Sequence, residues 1–342
     1  MRRALLASTV LALALTACPG SNTPEPAASP SSAGSPEQRS GDAHCRSALR
    51  AGWRSLPEAP TSRLEVAAAY VDGSIYVAGG LTGSGATAIV ERYQPATRTW
   101  TREPDLPVAL HHATGVTYEG ELVVIGGFLS SGEASSSVFA LGETGWRALP
   151  PLRRPRAAGA AGVIDDVIVV AGGQAGGTLV AETELYDGTT WSDAARIPTP
   201  RDHLAGAVFR GRFYAIGGRE LDIEAVLGAT ERYDPGRDSW ERLDPMPTPR
   251  GGLGAAALEG VIIALGGEGP TEAAGPDGVY EHMEAFAPHL ERWAPLGSTM
   301  RTARHGIGVV VSRRFLYAVA GGPTRGGSES ATVEQFRMSR CK

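Results

Sequence analysis

Short clusters of arginine and histidine recur along this chain, and both side chains can do chemistry. A guanidinium binds a carboxylate through two parallel hydrogen bonds, whereas an imidazole can transfer a proton or ligate a metal. If the fold gathers these clusters on one face, they form a candidate site for an anionic ligand such as a carboxylated sugar or an acidic peptide. The candidate residues are Arg63, His111, His112, Arg156, Arg201, His203, Arg250, Glu268, Arg304 and His305.

A structural role for the arginines competes with this interpretation. Five glutamates recur at a fixed place in the same pattern, and each could form an ion pair with one arginine and tie neighbouring segments together. These glutamates are Glu91, Glu184, Glu231, Glu284 and Glu334. The residues alone leave both roles open for every arginine.

Glycine doublets and tryptophans show that the chain is built from repeats. Gly-Gly doublets end six apolar runs at intervals of 45 to 55 residues, and each of the six tryptophans falls once in this ladder. Such an interval indicates a propeller or a solenoid. The doublets begin at Gly79, Gly126, Gly172, Gly217, Gly266 and Gly321, and the tryptophans are Trp53, Trp100, Trp146, Trp191, Trp240 and Trp293.

Two further markers complete the repeat. An aromatic residue follows each doublet, with a glutamate two positions before it in five of six copies. An arginine precedes most doublets by sixteen residues, but Arg304 precedes its doublet by seventeen, and Leu110 replaces the arginine in the second copy. This combination, over about residues 51 to 340, resembles the Kelch repeat, which is also found in the central domain of galactose-oxidase-like proteins. The resemblance implies an all-β, six-bladed β-propeller, with glycines where blades meet and aromatic side chains between adjacent sheets.

The strand pattern indicates where a ligand would bind. In an antiparallel four-stranded blade, the link into the first strand and the loop between the second and third strands lie on the same face. The links carry the arginine and histidine clusters, and the loops vary in length, the longest running from Glu268 to His282. Variable loops on a fixed scaffold are where binding usually resides. We therefore predict the ligand site on this loop-bearing face.

The order of the markers predicts how the ring closes. Trp53 precedes the first doublet, and no tryptophan follows Phe336 in the last copy, so the N-terminal segment should supply the outer strand of the sixth blade. Antiparallel pairing at this seam would bring Cys45 and Cys341 to the same end, and we expect a disulfide between them. Two unpaired thiols in frayed ends remain the alternative.

The N-terminus predicts export. Arg2 and Arg3 precede an apolar stretch that is too short to span a bilayer well but suits a signal peptide over residues 1–17. The stretch ends in Leu15-Thr16-Ala17-Cys18, which resembles the lipobox of bacterial lipoproteins and implies lipidation of Cys18. Residues 18–44 are rich in Pro, Ser, Ala and Gly, which predicts a flexible lipidated tether. Residues 45–342 should form the propeller, in the periplasm or at the cell surface.

These patterns favour a binding scaffold over an enzyme. The formal net charge of −5 argues against a nucleic-acid surface. The three cysteines lie at the lipobox and the chain ends, so the oxidase chemistry of some Kelch proteins lacks its cysteine. We predict no metal, because histidines on alternate blades should lie too far apart, and no cofactor. We expect a monomer that binds a protein or carbohydrate ligand and touches the membrane only through its lipid. A carbohydrate-active enzyme, such as a sialic-acid-epimerase-like or oxidase-like propeller, is the alternative.

Overall fold

The computed structural model describes residues 52–338. The chain divides into two units, Met1–Asp42 and Ala43–Lys342, and all described residues belong to the second. Within residues 52–338, no helix has the length and apolar character needed to cross a membrane. The predicted signal peptide and tether, the predicted lipidation residue Cys18, and Cys45 and Cys341 lie outside the described residues.

The described chain forms six four-stranded antiparallel sheets, which are the blades of a propeller. Blade one consists of β2 (Ala67–Val71), β3 (Ser74–Ala78), β6 (Val90–Gln94) and β7 (Thr99–Glu103). Blade two consists of β8 (Thr114–Tyr118), β9 (Glu121–Ile125), β10 (Val138–Gly142) and β11 (Gly145–Leu149). Blade three consists of β12 (Ala160–Ile164), β13 (Val167–Ala171), β16 (Thr183–Tyr186) and β17 (Trp191–Ala194). Blade four consists of β18 (Ala205–Phe209), β19 (Arg212–Ile216), β20 (Thr230–Asp234) and β21 (Ser239–Leu243). Blade five consists of β22 (Gly254–Leu258), β23 (Val261–Leu265), β24 (Met283–Ala287) and β25 (Arg292–Pro295). Blade six consists of β26 (Gly308–Ser312), β27 (Phe315–Val319), β28 (Val333–Arg337) and β1 (Trp53–Ser55). The all-β, six-bladed prediction is confirmed.

Small elements occupy three of the loops that follow the second strands. They are the hairpins β4 (Leu81–Thr82) with β5 (Gly85–Ala86) and β14 (Gln174–Ala175) with β15 (Thr178–Leu179), and the one-turn helix α1 (Thr271–Ala274). These loops lie on the face that also carries the links between blades.

The core lies between the blades rather than inside any one of them. The second strand of each blade is almost continuously buried, as in β9 and β19, because both of its faces are covered by neighbouring sheets. The apolar side chains form six clusters, and each cluster joins two adjacent blades. The hydrophobic driving force for folding therefore depends on blade stacking around the whole ring.

The tryptophans join each blade to the preceding one. Trp240 packs on Tyr233 of its own blade, with ring centroids 5.3 Å apart, and its Nε1 donates a hydrogen bond to the carbonyl of Ala195, 3.0 Å away in the link before that blade. Trp100, Trp146 and Trp191 donate in the same way to backbone carbonyls 41 to 43 residues earlier. This repeated bond explains why one tryptophan occurs in every copy.

The ring closes as the marker order predicts. β1 pairs with β28 in antiparallel register, with Trp53 opposite Phe336 and Ser55 opposite Glu334. The Trp53 indole lies 5.3 Å from the Phe336 ring, which reproduces the aromatic pair of the other blades. The N-terminal strand thus completes the sixth blade and covers an edge that would otherwise be open to pairing.

The glycine doublets lie where the backbones of adjacent blades approach each other. A Cβ on Gly79 would come within 2.4 Å of the Leu110 carbonyl oxygen in the second blade, and the Gly80 N–H donates to that same oxygen at 2.8 Å. Only a glycine fits such a contact without displacing the backbone.

The sixth doublet differs from the sequence assignment by one residue. Ala320 has the positive φ of 59° that the first glycine has elsewhere, and the Gly321 N–H donates to the Arg63 carbonyl at 2.8 Å. The structural doublet is therefore Ala320-Gly321 rather than Gly321-Gly322. This shift restores the sixteen-residue spacing to Arg304, which the sequence assignment had given as seventeen.

Candidate functional site

The five repeat arginines are enclosed within the blades. Their exposed fractions are 0% to 2%, and each forms an ion pair with the glutamate of the same copy, at distances of 2.5 to 3.0 Å. The pairs are Arg63–Glu91, Arg156–Glu184, Arg201–Glu231, Arg250–Glu284 and Arg304–Glu334. These arginines therefore do not line the loop-bearing face, on which we predicted the ligand site.

The second blade supports this structural role. It has Leu110 in place of the arginine, fully buried, and Ser137 at the position of the glutamate. Both charges are absent together, so neither partner is left buried and uncompensated. The arginines that we expected to bind an anion instead form ion pairs inside their own blades. They therefore give no support to an anionic ligand.

A different ring of residues surrounds the propeller axis. The residue two positions after each arginine slot donates its N–H to the carbonyl of the corresponding residue in the preceding blade, at 2.8 to 3.0 Å. The six bonds form a closed circuit. We call these residues the axial ring: Glu65, His112, Ala158, His203, Gly252 and Gly306.

Every residue of the axial ring has a left-handed backbone, with φ between 51° and 62°. Glycine adopts this conformation freely, as in Gly252 and Gly306, but any other residue loses about 1–2 kcal/mol there. Glu65, His112 and His203 are nevertheless present at such positions. Backbone strain of this kind is concentrated at functional sites, where the contacts of the side chain offset the strain.

The axial ring brings side chains from distant blades together. Glu65, His112 and His203 belong to the first, second and fourth blades, yet one potential ligand atom from each lies within 4.8 Å of the others. The His112 and His203 rings meet edge to face with centroids 4.9 Å apart. Alternate blades are therefore close at the axis, contrary to the sequence-based expectation that their histidines would be too far apart.

The residue before each histidine in the chain orients its ring. The Nδ1 atom of His203 lies 2.8 Å from Asp202 Oδ1, and the Nδ1 atom of His112 lies 2.6 Å from Nδ1 of His111. Arg219 Nη2 donates to His203 Nε2 at 2.8 Å, since a guanidinium can only donate. The Nε2 atom of His203 therefore accepts from Arg219, and its Nδ1 atom donates to Asp202.

A second charged cluster adjoins the axial ring. Glu268 is 2% exposed and accepts hydrogen bonds from Arg219 Nη1 and from the Gly326 N–H, each at 2.8 Å. His305, also 2% exposed, places Nδ1 at 3.4 Å from Glu268 and 3.6 Å from Glu65. This Nδ1 atom makes no hydrogen bond. His305 thus stands between two carboxylates.

The surroundings shift the pKa values of these groups. Burial lowers the pKa of His112 to about 3, although the Glu65 charge works in the opposite direction. Burial works to lower the pKa of His305, but the nearby carboxylates of Glu65 and Glu268 outweigh burial and leave that pKa raised. Burial would raise the pKa of Glu65, yet the histidines around it, His112 foremost, hold that pKa well below its usual range.

A cavity of about 520 Å³ opens onto this cluster, and we call it the mouth cavity. Its floor is Glu65, His112, His203, Arg219, Glu268 and His305, and its rim is Leu64, Leu81, Leu221, Asp222, Ile223 and Gly326. A narrower cavity of about 160 Å³ between the first strands also borders Glu65, His112 and His203. The axial ring separates the two cavities.

Loops from three blades fix one side of the mouth cavity. The Arg325 guanidinium forms an ion pair with Glu224, and the Arg325 N–H donates to the Asp277 carbonyl at 2.8 Å. The adjoining Gly326 is held by Glu268. The fourth-, fifth- and sixth-blade loops are therefore linked before any ligand arrives.

The structure brings some of the sequence-predicted residues together and separates others. His112, His203, Glu268 and His305 meet in the mouth cavity, with His111 directly behind His112. Glu65 and Arg219 were missed. Glu65 could have been found from the repeat, because it occupies the same position in its copy as His112 and His203 occupy in theirs.

Comparison with known proteins matches the repeat pattern. The sequence model of the Kelch motif matches residues 62–107 and 200–247, which contain the first and fourth blades. The solved structure entitled "Structure of YjhT" superimposes with a TM-score of 0.70, covering 81% of this chain and 95% of that one at 17% identity, which shows the fold alone.

Two blades of this six-bladed β-propeller therefore match the Kelch motif in sequence.

Several curated Kelch proteins are similar to this propeller. Kelch-like protein terF of Aspergillus terreus is 28% identical over 83% of this chain and 68% of its own length. Kelch-like protein 34 of Homo sapiens is 33% identical over 56% of this chain and 33% of its own, and beta-scruin of Limulus polyphemus is 26% identical over 56% and 23%. The matched part of this chain thus spans 33% of Kelch-like protein 34 and 23% of beta-scruin.

Proposed function

We propose that this Kelch propeller is a binding scaffold, exported and anchored by lipid, that holds a segment of a partner protein in its mouth cavity. The observation that carries the proposal is Leu221, which lies on the rim with 41% of its surface exposed and a left-handed φ of 65°. An exposed apolar side chain gains free energy when a partner covers it, and left-handed non-glycine residues are concentrated at functional sites.

The lining of the mouth cavity favours a protein ligand over a carbohydrate. Among the described residues that line it, the apolar ones are aliphatic, and none is Trp, Tyr or Phe. The lining contains three carboxylates, those of Glu65, Asp222 and Glu268, and one guanidinium, that of Arg219. A protein segment with an aliphatic residue for the rim and a basic side chain for the floor complements this surface.

Two exposed leucines allow a matched test. Leu221 and Leu290 are the large apolar residues that stand exposed within residues 52–338, and Leu290 lies between the third and fourth strands of the fifth blade, away from the mouth cavity. Leu221→Asp should abolish binding of a partner recovered from the native envelope, whereas Leu290→Asp should leave it unchanged. The affinity is then measured with the purified partner. Equal binding by both variants would refute the proposal.

A carbohydrate ligand is the competing outcome of the same experiment. A glycan array probed with the full chain and with Leu221→Asp separates the two classes. Specific glycan binding that survives Leu221→Asp and disappears in Glu268→Gln would replace the protein partner by a sugar.

The lipid anchor rests on the lipobox-like sequence that ends in Cys18. Cys18→Ser should release the exported protein from the membrane fraction and remove the mass of the acyl chains from the intact protein. Retention of Cys18→Ser on membranes would overturn the anchoring proposal but not the binding site.

Acid–base catalysis on a carbohydrate is a second candidate function, favoured by the position of His305 between Glu65 and Glu268. A proton donor flanked by carboxylates at a cavity floor suits an epimerase-like reaction. The test is turnover of acidic sugars followed by NMR, with His305→Gln as the inactive variant. The absence of turnover by the unaltered protein would remove this candidate.

A further inference from the structure

Two histidines and one carboxylate converge at the propeller axis with the geometry of a partly assembled metal site. The Nε2 atom of His112 lies 3.5 Å from Glu65 Oε2. Ligand atoms bound to one tetrahedral Zn²⁺ at about 2.0–2.1 Å are about 3.3 Å apart. This edge of the site is therefore nearly at its final length. His203 completes the triangle within 4.8 Å.

The hydrogen bonds behind the two histidines match those of metal ligands. Metal-binding histidines usually donate the proton of one ring nitrogen to a carboxylate or another acceptor, which fixes the ring and leaves the second nitrogen for the metal. His203 donates its Nδ1 proton to Asp202, and His112 is held through Nδ1 by His111. The Nε2 atom of His112 is thereby left for ligation at the axis, and that of His203 is shared with Arg219.

The backbone places these three side chains at the axis. Glu65, His112 and His203 occupy left-handed positions of the axial ring, and Ala158 shares this conformation without a functional group. The conformation alone therefore does not mark a ligand, whereas the convergence of the three potential ligand atoms within 4.8 Å of one another does.

We propose that Glu65, His112 and His203 form a binding site for one divalent transition-metal ion, with Zn²⁺ as the ion that fits best. Two imidazoles and a carboxylate are donors that Zn²⁺ accepts in sites with three protein ligands, and all three residues border the mouth cavity. The binding-scaffold proposal shares Glu65 with this site, but it is carried by Leu221 at the rim, which is not a ligand of the metal.

Arg219 is the group that opposes the metal. Its Nη2 atom donates to His203 Nε2, the atom that the metal needs, and its charge repels a cation. Arg219 also holds Glu268 through Nη1, so it can release His203 without losing its other partner. The metal therefore binds in competition with this guanidinium, and removal of the guanidinium should tighten binding.

The test uses the full chain, with Zn²⁺ measured by elemental analysis after dialysis and Co²⁺ measured by its visible absorption. We expect about one equivalent of Zn²⁺ per chain and a Co²⁺ spectrum typical of four- or five-coordinate nitrogen and oxygen donors. His203→Gln and Glu65→Gln should each weaken binding by about tenfold or more. Arg219→Gln should strengthen it. His289→Gln, which changes an exposed histidine between β24 and β25, should leave it unchanged.

Circular dichroism and thermal unfolding of each variant separate a lost ligand from a lost fold. Zn²⁺ should raise the melting temperature of the unaltered protein and of Arg219→Gln, but not that of folded His203→Gln. The proposal is overturned if the unaltered chain and Arg219→Gln both fail to retain Zn²⁺. It is equally overturned if folded His203→Gln binds as tightly as His289→Gln.

Discussion

Arg201 and Glu231 form a fully enclosed ion pair, with Nη1 and Oε2 2.5 Å apart and exposed fractions of 0% and 1% for the two side chains. Arg201 also donates to the carbonyls of Thr199, Ala215 and Gly217, so it joins the link before the blade to two of its strands. The pair is therefore internal to the fourth blade and is not part of the ligand face.

Removal of Arg201 alone should destabilise the protein strongly. Arg201→Leu leaves Glu231 buried without its cation, and the free energy of unfolding should fall by about 3–5 kcal/mol. The double variant Arg201→Leu with Glu231→Ser copies the second blade, where Leu110 and Ser137 stand at these positions, and should recover much of the loss. Urea unfolding measures both variants. If Arg201→Leu alone is as stable as the unaltered protein, the ion pair does not stabilise the blade.

Ala158 should gain stability when it is replaced by glycine. It is the one member of the axial ring with neither a functional group nor the freedom of glycine, and its φ is 54°. Ala158→Gly relieves left-handed strain, so we expect stabilisation of up to about 1 kcal/mol. Ala157→Gly, at the neighbouring β-bridge residue, should destabilise instead. Thermal unfolding compares the two, and equal effects would contradict the role assigned to the ring backbone.

Loss of Trp53 should open the seam of the propeller selectively. Its indole packs on Phe336 and its Nε1 donates to the sulfur of Met283 at 3.3 Å. Trp53→Ala should lower the free energy of unfolding by about 2–4 kcal/mol and speed amide exchange in β28. Trp146→Ala, in the interior of the chain, should lower the free energy of unfolding without a selective increase in amide exchange in β28. Exchange that rises equally across all blades in Trp53→Ala would argue against a local seam.

A disulfide between Cys45 and Cys341 would reinforce the same seam, because β1 and β28 follow and precede these cysteines. We expect the protein purified without a reductant to resist alkylation until it is reduced, and reduction to lower its free energy of unfolding by at most about 5 kcal/mol. Cys45→Ser with Cys341→Ser is the matched control, since reduction should not alter its stability. Rapid alkylation of both thiols in the native protein would show that they are unpaired.

The fold could be predicted because its determinants repeat. Glycines at blade contacts and tryptophans that bond to the preceding blade occur once per copy, so periodicity reveals them without coordinates. The closing strand followed from the position of Trp53 relative to the first doublet. The Ala320-Gly321 doublet could not be recognised, since alanine in a left-handed conformation leaves no mark in the sequence.

The candidate site was harder to predict because it is defined by departures from the repeat. Arg63, Arg156, Arg201, Arg250 and Arg304 looked functional because they recur, but recurrence at equivalent positions marks what every blade needs for its own stability. Glu65 occurs once in its slot, and its meaning depends on His112 and His203 reaching the same point. That convergence depends on the radius of the axis, which no sequence spacing reveals.

The axial ring has a consequence for how this scaffold can change. Its six N–H groups all point the same way around the axis, so the circuit has no first donor and no last acceptor, and the bond dipoles largely cancel. Because the bonds use only the backbone, the side chains at the six positions can differ, at the cost of left-handed strain for any residue other than glycine. Substitutions in single blades can therefore change the chemistry at the axis without interrupting the circuit.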